Sequence, residues 1–339
     1  MVVVVLVLLV AGTIGAFRLG AELRETQPVE AIAPTDGQFV DTSRGRLHVT
    51  IHGEQQGRSV LFTHGMAAWG GLWDETATFL AEHGYRIIAV DLPPFGFSDR
   101  SDGDFSRSAQ AERLYALATA LELDHYILVG HSYGGGVAAE AALRHKEGLA
   151  GLVLVSPVIR LGPEGSALSN SPVPAPLRWQ GAAEWLIAST ITNPLLTSYL
   201  AKQFMHRKDR LTEQQVSILQ APMQREGNTT YLVAWLQQFL AGDPLAWSRD
   251  RGRVHDVGIP VALIWGDQDT VTPIAQGEEL AGLIEPLSFA RLGDVGHMPQ
   301  LEDPQGFNAS LLSALRAIEA QSGPLFPDTG LRGSASSPN

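Results

Sequence analysis

One stretch of the chain, residues 126–144, constrains its fold more than any other. The apolar run Tyr126–Val129 (YILV) is followed by Gly-His-Ser-Tyr-Gly at 130–134 and then by a helical pattern, GGVAAEAALR. Glycines on both sides of the serine allow a strand and a helix to approach closely across a tight turn, which would raise the Ser132 hydroxyl above the sheet as a nucleophile. The alternative is a glycine-rich turn that binds phosphate at the helix N-terminus.

Apolar segments that alternate with helical patterns predict an α/β fold. Several of these segments are unbroken apolar runs, which is typical of strands buried on both faces of a sheet. The runs lie at Arg46–Ile51, Ser59–Thr63, Tyr85–Val90, Tyr126–Val129, Leu149–Val155 and Pro260–Trp265, and the helical patterns at Ser106–Leu121, Tyr133–Arg144, Ile274–Ile284 and Pro304–Ala320. We therefore expect a mostly parallel central sheet flanked by helices, with an antiparallel edge where no helix separates the first runs.

The alternation stops between residues 157 and 253, where aromatic residues occur in mainly helical patterns. This segment is too long for a loop, and strand-like sequence resumes at Pro260. We expect a helical insertion into one core formed by residues 37–156 and 254–321, with an independent helical domain as the alternative. Residues 22–36 are polar and are expected to form a linker. Residues 322–339 are rich in Pro, Gly and Ser and are expected to be disordered.

The N-terminus carries the strongest targeting signal. Residues 1–17 (MVVVVLVLLVAGTIGAF) contain no charged side chain, and a helix of that length would measure about 25 Å, slightly less than a ~30 Å hydrocarbon core. Residues beyond Arg18 could extend the span if its side chain reaches the interface. We expect residues 1–21 to anchor the protein in a membrane. The alternative is a cleaved export signal, giving a secreted or periplasmic protein, although such signals normally begin with Lys or Arg.

A serine nucleophile needs a histidine base that is oriented by an acid. Where the serine lies on a strand–turn–helix unit of this type, the chain order is serine, acid, histidine. His297 follows the last predicted strand (LSFARL) and precedes the last helical pattern, so it would lie on a loop at the carboxyl end of the sheet. The acid should follow the strand PVALIW, where the loop offers two candidates, Asp267 and Asp269.

An oxyanion hole requires two backbone N–H groups aimed at the developing negative charge. The residue after the nucleophile, Tyr133, would supply one of them. The loop His64-Gly65-Met66 after an early strand would supply the other, because Gly65 lets the chain turn so that the Met66 N–H points inward. For His64 itself we expect a structural hydrogen bond beneath that loop.

These segments together resemble the α/β-hydrolase superfamily. The matching pieces are FTHGM at 62–66, DLPPFGFSD at 91–99, GHSYGG at 130–135, GDQDTVTP at 266–273 and GHMPQLEDP at 296–304. The family's acid is the Asp of G-x-x-D-x-x-x-P, so the resemblance implies Ser132, Asp269 and His297 as the catalytic triad. It also implies that residues 157–253 are the cap over the active site. Epoxide hydrolases and haloalkane dehalogenases have an aspartate nucleophile, and the serine at 132 argues against both.

The composition argues against several classes of function. The formal net charge is −12, whereas phosphate binding needs clustered Lys and Arg, so we expect no nucleic-acid partner. There is no cysteine, which excludes a thiolate metal site and a Cys nucleophile. Nothing in the sequence predicts a metal or an organic cofactor. The sequence predicts a serine hydrolase that cleaves carboxylic esters of apolar or aromatic small molecules through an acyl-enzyme.

Other functions are compatible with the same residues. A triad of this type could hydrolyse a C–C bond next to a carbonyl, or support cofactor-free haloperoxidase-like chemistry. The fold can also serve as a ligand-binding receptor with little turnover. The sequence does not predict the substrate's identity or the oligomeric state.

Overall fold

A computed structural model describes residues 2–159, 161 and 173–322, with side chains described for 12–159, 161 and 173–321. Eight strands form one sheet: β1 (Gly37–Thr42), β2 (Gly45–His52), β3 (Arg58–Thr63), β4 (Tyr85–Val90), β5 (Tyr126–His131), β6 (Leu149–Val155), β7 (Val261–Gly266) and β8 (Ser288–Leu292). Their spatial order is β1-β2-β4-β3-β5-β6-β7-β8. The pairs β1–β2 and β2–β4 are antiparallel and the other pairs are parallel, which confirms the predicted fold class.

Helices precede, flank and interrupt this sheet. They are α1 (Val2–Arg24), α2 (Val29–Ile32), α3 (Asp74–Glu82), α4 (Arg107–Ala120), α5 (Ser132–Arg144), α6 (Ala175–Arg178), α7 (Gln180–Ser189), α8 (Thr197–Gln203), α9 (Glu213–Gln220), α10 (Asn228–Ala241), α11 (Arg251–His255), α12 (Ile274–Ile284), α13 (Pro299–Glu302) and α14 (Pro304–Ser322). Residues 323–339 of the predicted disordered tail lie outside the described residues.

Each face of the sheet is covered by its own hydrophobic cluster. Leu61 packs in the cluster that includes residues of α4, α5 and α12, whereas its neighbour Phe62 packs in the cluster that includes residues of α3 and α14. Successive side chains of a strand point to opposite faces, so a strand with helices on both sides must be apolar at every position. This explains why the central strands are continuous apolar runs.

Between β6 and β7, the described residues form α-helices and short 3₁₀ helices joined by loops, and they contain no strand. We call residues 173–255, which contain α6 to α11, the cap segment. Two carboxylates join it to the core: Glu140 on α5 accepts hydrogen bonds from the backbone N–H groups of Trp247 and Ser248, and Glu302 on α13 accepts them from those of His206 and Arg207. The bounds of the core and of the helical insertion remain predictions.

The N-terminal helix docks on the cap segment. Ala21 is fully buried, and the Arg18 guanidinium lies 3.0 Å from the carboxylate of Glu184 on α7. Just after the helix, the buried Glu25 accepts a hydrogen bond from the Thr229 N–H at 2.7 Å. Within the described residues, none of the helices combines the length and the apolar character needed to cross a bilayer.

The prediction that residues 1–21 form a single helix that anchors the protein in a membrane is therefore wrong. Toward the end of α1, Ala21 packs against the protein itself, whereas Leu19 and Leu23 are exposed. The predicted linker at 22–36 also differs from the expectation, because it contains the end of α1 and the short helix α2. It also pairs with the cap segment through a β-bridge between Gln27 and Arg225.

Candidate active site

Ser132 occupies the turn where β5 ends and α5 begins. Its backbone φ is +53°, in the left-handed region that non-glycine residues seldom adopt. The close packing around the turn explains the flanking glycines. A Cβ on Gly130 would lie 2.7 Å from the Ala138 Cβ, and one on Gly134 would lie 2.4 Å from the His64 carbonyl oxygen. The serine thus lies at the carboxyl end of the sheet, where open α/β sheets bind their ligands.

The structure brings the three predicted triad residues together. The Nε2 atom of His297 lies 2.8 Å from the Oγ atom of Ser132. The Nδ1 atom of the same ring lies 2.8 Å from Oδ2 of Asp269. All three side chains are buried, so both contacts are shielded from bulk water.

The loop after β7 holds Asp269 in place to accept a hydrogen bond from His297. Its Oδ1 accepts the backbone N–H groups of Val271 (2.8 Å) and Thr272 (2.9 Å), and the Thr272 hydroxyl donates to Oδ2 at 2.9 Å. Burial alone would raise the pKa of Asp269, but the hydrogen bond from His297, the histidine's charge and these N–H donors together lower it. Asp269 is therefore held as a carboxylate. The other candidate, Asp267, instead pairs with the Arg291 guanidinium at 2.8 Å.

Two further buried histidines support the site. His131 Nε2 lies 2.8 Å from the backbone oxygen of His297, and burial lowers the pKa of His131 to about 3. The ring is therefore neutral near pH 7, with Nε2–H donating. His64 donates from Nδ1 to the Gly65 oxygen (2.8 Å) and accepts the Leu92 N–H at Nε2 (2.9 Å), which is the structural hydrogen bonding expected for it.

The two predicted oxyanion donors, Met66 and Tyr133, lie on the loop after β3 and directly after Ser132. Tyr133 is the second residue of α5, and N–H groups in the first turn of a helix have no intrahelical acceptor. Its phenol points away from Ser132, with the hydroxyl donating to the Phe105 oxygen at 3.3 Å. Met66 follows Gly65 on the loop after β3 and lines the cavity beside the serine.

A cavity of about 190 Å³ opens over Ser132 and His297. Its walls are mainly apolar and come from both the core and the cap segment. The cap segment contributes Ile191, Thr197, Leu200, Ala201, Phe204, Leu219 and Met223, and the core contributes Met66, Ala67, Ala68, Leu72, Trp73, Met298 and Gln300 among others. Ser132 and His297, the predicted nucleophile and base, therefore face an apolar chamber.

Comparison with known proteins identifies the fold family. A family model described as alpha/beta hydrolase fold matches residues 58–304. The chain belongs to the α/β-hydrolase family. A 2-hydroxy-6-oxo-2,4-heptadienoate hydrolase of Pseudomonas putida is 28% identical to it over 78% of this chain and 91% of that relative. Epoxide hydrolase 3 of Xenopus tropicalis is 24% identical over 91% of this chain and 86% of the relative.

Solved structures show the same fold. The crystal structure of a putative lipase from Acinetobacter baumannii matches with a TM-score of 0.68 and 21% identity, over 90% of this chain and 97% of the lipase. The α/β-hydrolase family and the names of these relatives support a hydrolase. They span several bond types, so the bond that this chain cleaves has to be argued from its own site.

Within this α/β-hydrolase site, sequence reasoning missed two side chains that contact the triad. Thr272 contacts both Asp269 and His297, with its hydroxyl oxygen 3.3 Å from the histidine Nδ1. His131 holds the histidine backbone. Both lie inside motifs recognised in the sequence, GDQDTVTP and GHSYGG. A signal was available in their positions, because His131 is adjacent to Ser132 and Thr272 lies three residues after Asp269. Buried polar side chains need hydrogen-bond partners, and here the predicted triad residues are nearby.

Proposed function

We propose that this protein is a serine hydrolase that cleaves carboxylic esters of small apolar or aromatic molecules. The observation that carries the proposal is the 2.8 Å contact between His297 Nε2 and Ser132 Oγ, at the floor of an apolar cavity, with Asp269 on the far nitrogen of the same ring. A nucleophile within hydrogen-bond reach of a base that is itself oriented by a third group is the diagnostic arrangement for covalent catalysis.

In the acylation half, His297 Nε2 takes the proton of the Ser132 hydroxyl as Oγ attacks the ester carbonyl carbon. The carbonyl oxygen becomes an oxyanion, and the backbone N–H groups of Met66 and Tyr133 stabilise it. Asp269 stabilises the imidazolium without accepting its proton. The tetrahedral intermediate then collapses, His297 gives its proton to the leaving alkoxide, and the alcohol departs from an acyl-Ser132 ester.

In the deacylation half, a water molecule enters where the alcohol left. His297 takes a proton from this water as its oxygen attacks the acyl carbonyl. The second tetrahedral intermediate expels Ser132 Oγ, which recovers the proton from His297, and the carboxylic acid is released. Atoms balance as one ester and one water giving one acid and one alcohol.

The cavity wall favours an uncharged, apolar substrate. No Arg, Lys, Asp or Glu occurs among the described residues that line it, and its cap-segment side consists mainly of aliphatic side chains with Phe204 and Met223. Burying a charged group there without a partner would cost several kcal/mol. We include in the proposal that residues 157–253 act as a cap domain on a core of residues 37–156 and 254–321.

Cleavage of a C–C bond next to a carbonyl is the second candidate. The relative from Pseudomonas putida, named as a 2-hydroxy-6-oxo-2,4-heptadienoate hydrolase, supports it. Such a substrate carries a carboxylate, and the described lining residues offer no cationic side chain to pair with it. The ester reading therefore fits this cavity better.

The test combines active-site labelling with a substrate panel. We expect a fluorophosphonate probe to label the wild-type chain and not Ser132→Ala. Ser156→Ala is a matched control, since Ser156 is also a buried serine with positive φ (42°) at the end of a strand. It should keep both labelling and turnover.

The panel should include p-nitrophenyl esters of increasing acyl length, phenyl acetate and a diketone acid, 2-hydroxy-6-oxo-2,4-heptadienoate. We expect turnover of uncharged esters and at least 10³-fold lower kcat/KM for the diketone acid, since about 4 kcal/mol separates a paired from an unpaired buried charge. Ester turnover by Ser132→Ala near the wild-type rate would contradict the serine mechanism. Preference for the diketone acid would favour C–C cleavage instead.

A further inference from the structure

Glu302 is a fully buried carboxylate at the end of α13, five residues after His297. Its two oxygens accept four backbone N–H groups. Oε2 accepts those of Gly296 (2.9 Å), His206 (2.9 Å) and Arg207 (2.8 Å), and Oε1 accepts that of Met298 (3.0 Å). Charge-assisted bonds of this kind are roughly twice as strong as neutral ones. A buried charge is therefore satisfied here entirely by main chain.

The four donors come from two different parts of the molecule. Gly296 and Met298 flank His297, so the carboxylate fixes the Val295–Gly296 peptide and the His297–Met298 peptide on either side of the candidate base. His206 and Arg207 belong to the cap segment. The Glu302 carboxylate thus accepts hydrogen bonds from both the His297 loop and the cap segment.

Other contacts show how tightly these two backbones meet. The His297 N–H donates to the carbonyl oxygen of Phe204, a cap-segment residue that also lines the cavity, at 3.2 Å. A Cβ added to Gly296 would lie 2.5 Å from the His206 nitrogen. A shift of the backbone at residues 204–207 would therefore displace the backbone of His297.

We propose that Glu302 is a positioning residue, which sets His297 against Ser132 and makes that alignment depend on the seating of the cap segment. The proposal rests on the hydrolase function proposed above. It means that the wall formed at Phe204 is not free to move independently of the base. Docking of the cap segment on the core therefore also aligns His297 so that it can activate Ser132.

Replacing Glu302 by Gln tests this at one atom. A glutamine has one acceptor oxygen, and its NH₂ group only donates. The orientation that keeps three of the four bonds puts the amide oxygen where Oε2 was. The NH₂ group then faces the Met298 N–H, donor against donor, on the peptide that follows His297. Misplacing a reacting group by about 1 Å can cost around 10²-fold in rate.

The matched control is Glu140→Gln. Glu140 is also fully buried, and it also accepts two backbone N–H groups of the cap segment, those of Trp247 (2.9 Å) and Ser248 (2.7 Å). It lies on α5, and none of its bonds involves the His297 loop. Both variants should lower Tm. Only Glu302→Gln should lower kcat, by about 10- to 100-fold with KM changed less than threefold.

A second readout does not depend on turnover. The Nδ1 proton of His297, held against Asp269, should give a downfield ¹H NMR resonance in the wild type. We expect it to shift or broaden in Glu302→Gln and to be unchanged in Glu140→Gln. If the wild type hydrolyses no ester and resists the fluorophosphonate, the proposed function fails, and this resonance alone decides the role of Glu302.

A further variant covers the case in which Glu302→Gln does not fold. Arg207→Pro removes one cap-segment N–H donor and leaves the carboxylate intact, and the φ of Arg207, −87°, is near the proline range. We expect its kcat to fall at least threefold and the His297 resonance to shift. Wild-type kcat and an unshifted resonance in Glu302→Gln, or in Arg207→Pro if the former does not fold, would overturn the proposal.

Discussion

The imidazole of His131 donates a hydrogen bond from Nε2 to the backbone oxygen of His297, across 2.8 Å. The donor is the last residue of β5, and the acceptor lies on the loop after β8. His131 immediately precedes Ser132, so the nucleophile and the base are linked by a second connection besides their own contact. The bond requires a proton on Nε2. Burial lowers the pKa of His131 to about 3 and keeps the ring neutral, so its single N–H proton lies on Nε2.

Removing this bond should impair activity without dismantling the triad. In His131→Ala, the carbonyl of His297 loses its buried donor, and we expect kcat to fall about 10-fold through a looser His297. Steady-state kinetics on the best ester of the panel would measure this. His48→Ala is the control, because His48 is an equally buried histidine whose Nδ1 instead contacts Asp91 at 3.0 Å. An equal loss of kcat in the two variants would count against a specific role for His131.

The same histidine should make stability sensitive to acid. The folded pKa of about 3 lies below the ordinary value of 6.5, so the unfolded chain binds the extra proton first. Stability is then complete above about pH 6.5 and is lost as the pH falls towards 3, at up to ~1.4 kcal/mol per pH unit. Burial lowers the pKa of His64 in the same direction. Urea unfolding at pH 8, 6 and 5 should show the decline, more shallowly in His131→Ala, and a flat profile in the wild type would refute it.

The two aspartates of the loop after β7 offer a paired test. Asp269→Asn should leave the fold intact but favour the wrong tautomer of His297, and we expect kcat to fall 10³- to 10⁴-fold, about the loss seen when a triad acid is replaced. Asp267→Asn removes only a partly exposed pair with Arg291, and should keep kcat within twofold. Reversed effects would mean that the acid is Asp267.

The meeting of Ser132, Asp269 and His297 could be predicted because each follows the end of a parallel strand. Parallel strands bring their carboxyl ends to one edge of the sheet, so the loops that follow these strands meet there. The hydrogen bonds of Glu302 could not be predicted in this way. Its four donors are backbone N–H groups, two of them from a helical segment whose docking depends on side-chain packing rather than on strand order.

The N-terminal helix is a case in which the prediction from the sequence was wrong. An apolar run gives the same hydropathy whether lipid or protein covers it, so the run at residues 1–17 could not reveal that α1 docks on α7. The informative residues were Arg18, Glu22 and Glu25, which follow the run. Arg18 pairs with Glu184, and Glu25 is buried against Thr229. Edge strand β1 was also missed, because its half-buried, polar sequence (GQFVDT) lacks the apolar run of the central strands.

Docking of α1 predicts a position-specific effect on stability. Ala21 is fully buried, whereas Leu23, two residues further along the helix, is 73% exposed to solvent. Ala21→Glu would bury an unpaired carboxylate, so the helix should undock instead, lowering Tm and speeding proteolysis near residues 25–36. Leu23→Glu should leave both unchanged. Equal behaviour of the two variants would show that docking of α1 contributes nothing to stability.

Substrate length should respond to the cap-segment wall of the cavity. Met223 lines the cavity, whereas Met205, on the same segment, is buried in a small cluster with Met298 and Leu301 and does not line it. Met223→Ala removes side-chain volume beside the acyl site, so we expect kcat/KM for longer p-nitrophenyl esters to rise several-fold relative to the acetate. Met205→Ala should cost about 2–5 kcal/mol of stability as a core truncation and leave the ratio of long to short esters unchanged. If the ratio stays constant in Met223→Ala as well, the acyl chain does not lie against the cap segment, and the alcohol part of the ester must occupy that wall instead.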